Sequence, residues 1–179
     1  MTESLSAHYL ADINVRFHNY KSMADRAMAR VDDEAYFAVL DPEANSIAIL
    51  VKHMAGNAHS RWRDFLTTDG EKPDRNRDSE FELYDEDTRQ ALQERWEAGW
   101  QLLFDAVDPL TPDDLMAAVT IRGQPHTVVQ ALNRQIAHCA YHVGQIVLLA
   151  KHAQSEEWKT LSIPRGQSEQ FNQKVWRRT

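Results

Sequence analysis

The sequence predicts an all-α fold: a four-helix bundle with a small hairpin before the last helix and an irregular C-terminal strap. Three observations carry this. Four stretches repeat apolar residues at three- and four-residue spacing over several turns each, the mark of a helix that buries one face. Strand-like alternation is confined to one short stretch. Only six glycines and six prolines punctuate the 179 residues, too few for a loop-rich chain. The whole of 1–179 reads as one domain, with about 154–179 as the strap.

The first helix spans about residues 4–31, where Leu10, Ile13, Phe17, Tyr20, Ala24, Ala27 and Val31 form one stripe, and Asp41-Pro42 marks the loop beyond. The second spans about 45–67, on Ile47, Leu50, Val51, Met54, Ala58, Trp62 and Phe65. Gly70 is expected in a left-handed conformation near its end, with Pro73 further on. Residues 71–87, EKPDRNRDSEFELYDED, are charged and aperiodic and read as a long solvated connection rather than a functional lid. The third helix, about 86–107, buries Leu92, Trp96, Gly99, Leu103 and Ala106. Thr111 then caps a short turn with Pro112 at its first position. Val119 and Ile121 alternate with Thr120 before Gly123, which predicts a small hairpin. Thr127 and Gln130 form a capping box, each side chain satisfying a free backbone donor of the other, and open a fourth helix to about 153. That helix is apolar nearly all round, as in a central helix or one at a subunit interface. In the strap, Trp158, Phe171 and Trp176 are candidate anchors, with a short helix after Ser168.

The formal net charge of -7 offers nothing to a phosphate backbone and argues against nucleic-acid binding. No apolar run is long enough to span a bilayer, and the N-terminal residues lack a basic region followed by an apolar core. A single cysteine, Cys139, precludes an internal disulfide. A cytoplasmic protein is the expectation.

Within the fourth helix, His138 and His142 are four residues apart and therefore neighbours on one face. Two imidazoles so placed can aim at one point about 2 Å from each. Gln145 lies on nearly the same line, with Arg134 and Tyr141 at its edges, and this polar line cuts an otherwise apolar helix. Spacing alone leaves three readings: a chelating pair, a solvent-facing stripe, or a hydrogen-bonded core pair. The motif lacks the glutamate of H-E-x-x-H, so a metalloprotease mechanism has no support. A metal needs a third ligand from another helix. His53, at the border of the second helix's apolar stripe, is favoured over His59, which lies among Ser60, Arg61 and Arg63. His8, His18, His126 and His152 read as surface or loop residues.

A histidine within the second helix, followed some eighty residues later by H-x-x-x-H on the fourth, resembles the DinB-like superfamily of metal-dependent four-helix bundles. The segments IAILVKHMAGN, RWRDFLTTDGEKPDR, NRQIAHCAYHVGQIVLLAKH and SIPRGQSEQFN look like one subfamily of it, and the resemblance covers nearly the whole chain. It implies an up-up-down-down bundle, often a homodimer, with one nickel or zinc ion held by three histidines. By position these are His53, His138 and His142. Characterised members include enzymes that transfer bacillithiol, or use mycothiol to isomerise maleylpyruvate, the metal activating the thiol.

Three neutral ligands would leave a metal's charge uncompensated and a coordination position open, the arrangement of a catalytic rather than structural zinc. An open position can lower the pKa of a water, making a hydrolase, or strip a thiol's proton, making a thiol transferase with a low-molecular-weight thiol as co-substrate. Asn57, Tyr141 and Gln145 are candidates to orient the imidazoles or touch substrate. Arg165 is a candidate for an anionic substrate group, should the strap close over the site. Cys139, beside His138, reads as a small buried hydrophobe rather than a ligand. A non-catalytic, metal-stabilised binding or stress-response protein is the alternative reading.

Overall fold

A computed structural model describes residues 4–176. Its helices are α1 (Leu5–Met28), α2 (Asp33–Phe37), α3 (Ile47–Trp62), α4 (Arg89–Val107), α5 (Val128–Gln154) and α6 (Ser168–Trp176). One antiparallel hairpin pairs β1 (Ala118–Ile121) with β2 (Gln124–Thr127). The four long helices enclose a single hydrophobic cluster that includes Phe17, Leu50, Trp62, Leu92, Trp96, Leu132 and Ile146.

The helix starts follow their caps. The side-chain oxygens of Ser4, Ser46, Thr88 and Thr127 each accept an N–H from the first turn of α1, α3, α4 and α5. The capping box of Thr127 and Gln130 is formed as expected. Pro112–Met116 is a 3-10 turn capped by Thr111. The end of α3 departs from expectation: it stops at Trp62 rather than about 67. Asp64, not Gly70, takes the positive φ, at 50°. Gly70 serves close approach instead, because a Cβ there would lie 3.0 Å from Arg61 Cδ. Its N–H donates to Thr120 O at 2.8 Å, which ties the end of α3 to the hairpin.

Contacts along the helices set the chain direction. Tyr9 bonds Asn133 near the starts of α1 and α5, and Arg30 bonds the Lys159 carbonyl beyond their ends, so these two run parallel. Asn14 bonds Asp108 and Arg89 bonds the Met28 carbonyl, so α1 and α4 are antiparallel. Lys52 reaches Asp87 ahead of α4, and Gly99 lies against Ala55 and Ala58, so α3 and α4 run parallel. The order is up-down-down-up. The resemblance implied up-up-down-down; the 63–88 connection runs back along the bundle, so α4 starts at the end where α3 started.

Gly99 lets α3 and α4 approach closely, since a Cβ there would sit 3.2 Å from the Ala55 Cα. In the strap, Trp158 packs on the core and under the Arg30 guanidinium, 5.0 Å from it. Phe171, a candidate anchor, is 47% exposed. The Trp176 side chain lies outside the described residues.

Candidate metal centre

His53 comes from the second turn of α3, and His138 and His142 from the middle of α5. The two helices pack so that these histidines face one another. One ligand-type atom from each lies within 4.8 Å of the other two. His53 Nε2 and His138 Nε2 are 3.1 Å apart. Adjacent ligands about 2.0–2.1 Å from a zinc ion stand slightly more than 3 Å apart, so the spacing suits one shared cation.

The outer nitrogens decide which atoms are free to ligate. His53 Nδ1–H donates to Glu80 Oε2 at 2.8 Å, and His142 Nδ1–H donates to Gln145 Oε1 at 2.8 Å. Both rings are thereby fixed in the tautomer that leaves an Nε2 lone pair toward the cluster. The His138 Nδ1 is buried without a hydrogen-bond partner among the described residues. Burial first, and then the neighbouring His142, His53, Arg75 and Arg61, pushes the His138 pKa down to about 3. Burial also lowers that of His142, against the Gln145 hydrogen bond, which raises it. At neutral pH these two imidazoles are therefore neutral and hold lone pairs for a cation. The donor set fits a divalent metal.

Glu80 lies in the 71–87 connection, which was expected to be a solvated loop. It is only 5% exposed. A 3-10 turn at Asp78–Phe81 lays it on His53. Arg75, from the same connection, donates Nε–H to Glu80 Oε1 at 2.8 Å and Nη2–H to Oε2 at 2.9 Å. Burial works to raise the Glu80 pKa, but hydrogen bonds from His53 and Arg75 and the Arg75 charge hold it below the usual carboxylate range. Gly56, in α3, makes room: a Cβ there would be 2.5 Å from Glu80 Oε1. Phe81 packs on the His53 ring, with centroids 4.7 Å apart. The connection thus supplies both the acceptor for the outer nitrogen of His53 and an aromatic ring packed against its imidazole.

A cavity of about 420 Å³ opens over the three histidines. Of the other sequence candidates, Asn57, Tyr141 and Gln145 line it. Asn57 is 7% exposed, and its Oδ1 has no hydrogen-bond partner among the described residues. Tyr141 is 64% exposed, with its ring 4.8 Å from that of His142. Arg165 is exposed in the strap and does not line the cavity. Cys139 is buried, its thiol pushed up to about 12 by burial and approached by Gln135 Nε2 at 3.6 Å. It lines a small gap with Trp96 and Gly99 of α4 and does not line the cavity over the histidines.

The sequence reading missed Glu80 and Arg75, whose segment has no periodicity, and it missed Arg61. For Arg61 a signal existed: His53, Asn57 and Arg61 recur at i, i+4 and i+8, a polar line on α3 opposite the Arg134–His138–His142 line on α5.

Fold and cluster together define a helical bundle protein with three histidines that could hold a metal ion. The chain belongs to the family described as "Protein of unknown function (DUF1572)", whose model matches residues 4–167. No curated protein matches it. No helix among the described residues is long and apolar enough to cross a membrane.

Proposed function

We propose that this protein is a metal-dependent enzyme of the DinB-like superfamily, with one nickel or zinc ion held by His53, His138 and His142. One observation carries the reading: three imidazoles converge on one point at the floor of an open cavity, with two of their outer nitrogens already held by Glu80 and Gln145. A structural zinc is closed by four protein ligands; three ligands facing a cavity leave room for a reactant.

The ion, when bound, supplies a Lewis acid that lowers the pKa of a thiol or water in its open position. The chain's own residues do the rest. Glu80 and Arg75 hold the His53 ring and its Nδ1 proton in place. Gln145 does the same for His142. Phe81 packs on the His53 ring, and Tyr141 meets the His142 ring at a steep angle. The reaction class is S-transfer from a low-molecular-weight thiol, or hydrolysis. On this reading the enzyme is a cytoplasmic homodimer that binds neither nucleic acid nor membrane.

The test is metal analysis of protein purified without added metal, combined with a screen of low-molecular-weight thiols against a generic electrophile. Stoichiometric nickel or zinc, with thiol consumption that depends on it, is the expected result. A folded chain that binds no divalent metal at micromolar concentration sinks the proposal.

A second reading is that the metal stabilises a non-catalytic binding or stress-response protein. What favours it is that the ligands come from two different helices, so an ion would cross-link α3 to α5. It predicts a large loss of melting temperature on chelation and no reaction of any thiol or electrophile.

A further inference from the structure

The chain carries a net charge of -7, yet the cavity over the histidines is strongly basic. Arg61, Arg75, Arg77, Arg122 and Arg134 line it, and among the described residues no aspartate or glutamate does. Two of these arginines are neutralised from behind. Arg75 is paired with Glu80 and Glu71, and Arg122 with Glu71 at 3.2 Å. Arg77 lies over the Phe81 ring, 4.9 Å from its centroid. Arg61 is different. It is only 5% exposed, and its Nη1 has no hydrogen-bond partner among the described residues. A buried guanidinium with no carboxylate in contact among the described residues is costly, because its desolvation is not offset by an ion pair. Burial, followed by the charges of Arg134, Arg75 and Arg122 and opposed by Glu71, pushes its pKa down to about 10. The arrangement is one that an anion would complete.

We infer that the cavity binds a small organic anion, its carboxylate or phosphate held by Arg61 with Arg134 at the rim, and its other end directed at the three histidines. Helix geometry sets the size. Arg61 is eight residues beyond His53, about 12 Å along α3, and Arg134 is four residues before His138, about 6 Å along α5. The anionic group therefore sits about 6–12 Å from the histidine cluster. Asn57, midway on α3, lines the same cavity, and its buried Oδ1 has no hydrogen-bond partner among the described residues. A guanidinium suits this role because its planar fork matches both carboxylate and phosphate.

The direction of the bound molecule rests on the proposed function, since it assumes that the reacting end meets a metal. The anion site does not, and the two fail separately. The probes are inorganic phosphate, succinate and the neutral succinamide, titrated into the full chain by calorimetry at low ionic strength, where charge pairing is least screened. Expected is saturable millimolar or tighter binding of phosphate or succinate and none of succinamide; the tighter of the two anions identifies the group the site takes. Arg61→Gln should weaken the anion at least tenfold and leave metal content unchanged. His138→Ala should lose metal and keep the anion. Arg134→Gln, at an exposed position that does not threaten folding, should weaken the anion about threefold to tenfold, and it decides the matter if the Arg61 variant fails to fold. Equal binding of succinamide, no saturable binding of either anion, or wild-type anion affinity in folded Arg61→Gln or in Arg134→Gln overturns the inference.

Discussion

Glu80→Gln is the sharpest perturbation of the site, because it keeps the shape of the side chain and changes only charge and donor pattern. Glu80 receives three N–H donors: His53 Nδ1 at 2.8 Å and Arg75 Nη2 at 2.9 Å on Oε2, and Arg75 Nε at 2.8 Å on Oε1. A glutamine has one acceptor oxygen. If that oxygen faces His53, the amide N–H2 is turned against Arg75 Nε–H, donor against donor. The negative charge that makes the His53 ring more basic is lost as well. Loss of such a partner typically costs 10–100-fold in metal affinity, or about 1.4–2.7 kcal/mol. The Arg75 side chain is 4% exposed and would keep only Glu71 as an opposite charge, so the metal-free protein should also lose stability, by up to about 3 kcal/mol. The assay is competition for zinc and nickel against a chromophoric chelator, with circular dichroism as the check on folding. Gln145→Ala is the internal comparison: it removes a neutral partner from His142, so its effect should be smaller. A folded Glu80→Gln protein whose metal affinity is within threefold of wild type would refute the claim that Glu80 orients His53.

Gly56→Ala should raise helix propensity by up to about 1 kcal/mol, yet lower metal affinity, because the new Cβ falls 2.5 Å from Glu80 Oε1 and must displace it. The same chelator competition, read beside thermal melting, shows whether the two effects part in this way. Gly99→Val should destabilise by about 1–3 kcal/mol in urea unfolding, since even a Cβ would meet the Ala55 Cα at 3.2 Å and valine adds two methyls. His138→Ala should abolish stoichiometric metal by elemental analysis while helicity persists. As for pH, the folded protein holds His138 near 3 while the unfolded chain protonates it near its ordinary 6.5. Between these values the unfolded state binds more protons, so stability of the metal-free protein falls as pH falls below about 6.5. The lowered pKa of His142 adds the same sign, and that of Glu80 does so below its ordinary 4.5. Melting temperatures of metal-free protein at pH 8, 7, 6 and 5 should stay level between the first two and then drop; a flat profile to pH 5 contradicts the burial of neutral imidazoles.

Much of this protein is local physics written along the chain. The four long helices follow from apolar spacing, and their first turns from Ser4, Ser46, Thr88 and Thr127, whose caps act within three residues of themselves. The hairpin follows from Val119, Ile121 and Gly123. His138 and His142 follow from a four-residue interval on one helix, and His53 from its place at the edge of an apolar stripe. Such features depend on periods of 2 or 3.6 residues, which a single strand of text displays.

Tertiary structure alone decided what those residues meet. Spacing could not say whether the two histidines of α5 faced solvent, core or another ligand-type side chain; the packing of α3 against α5 brings them to His53. Helix direction was also non-local: the length of the 63–88 connection permits a return along the bundle or none, and only the contacts of Lys52, Gly99 and Arg89 distinguish them. Glu80 and Arg75 sit in a charged, aperiodic segment where surface loops and buried ion pairs look alike, because charge pairing in space has no period in sequence. Arg61 could be placed on the His53 face of α3, but its burial without a partner depends on Gly70, the hairpin and α5 together. The sequence by itself thus determined the helices and the ligand candidates. The fold determined the charge environment around them, since burial and opposition are properties of neighbours in space, and it is that environment which argues for an anionic ligand.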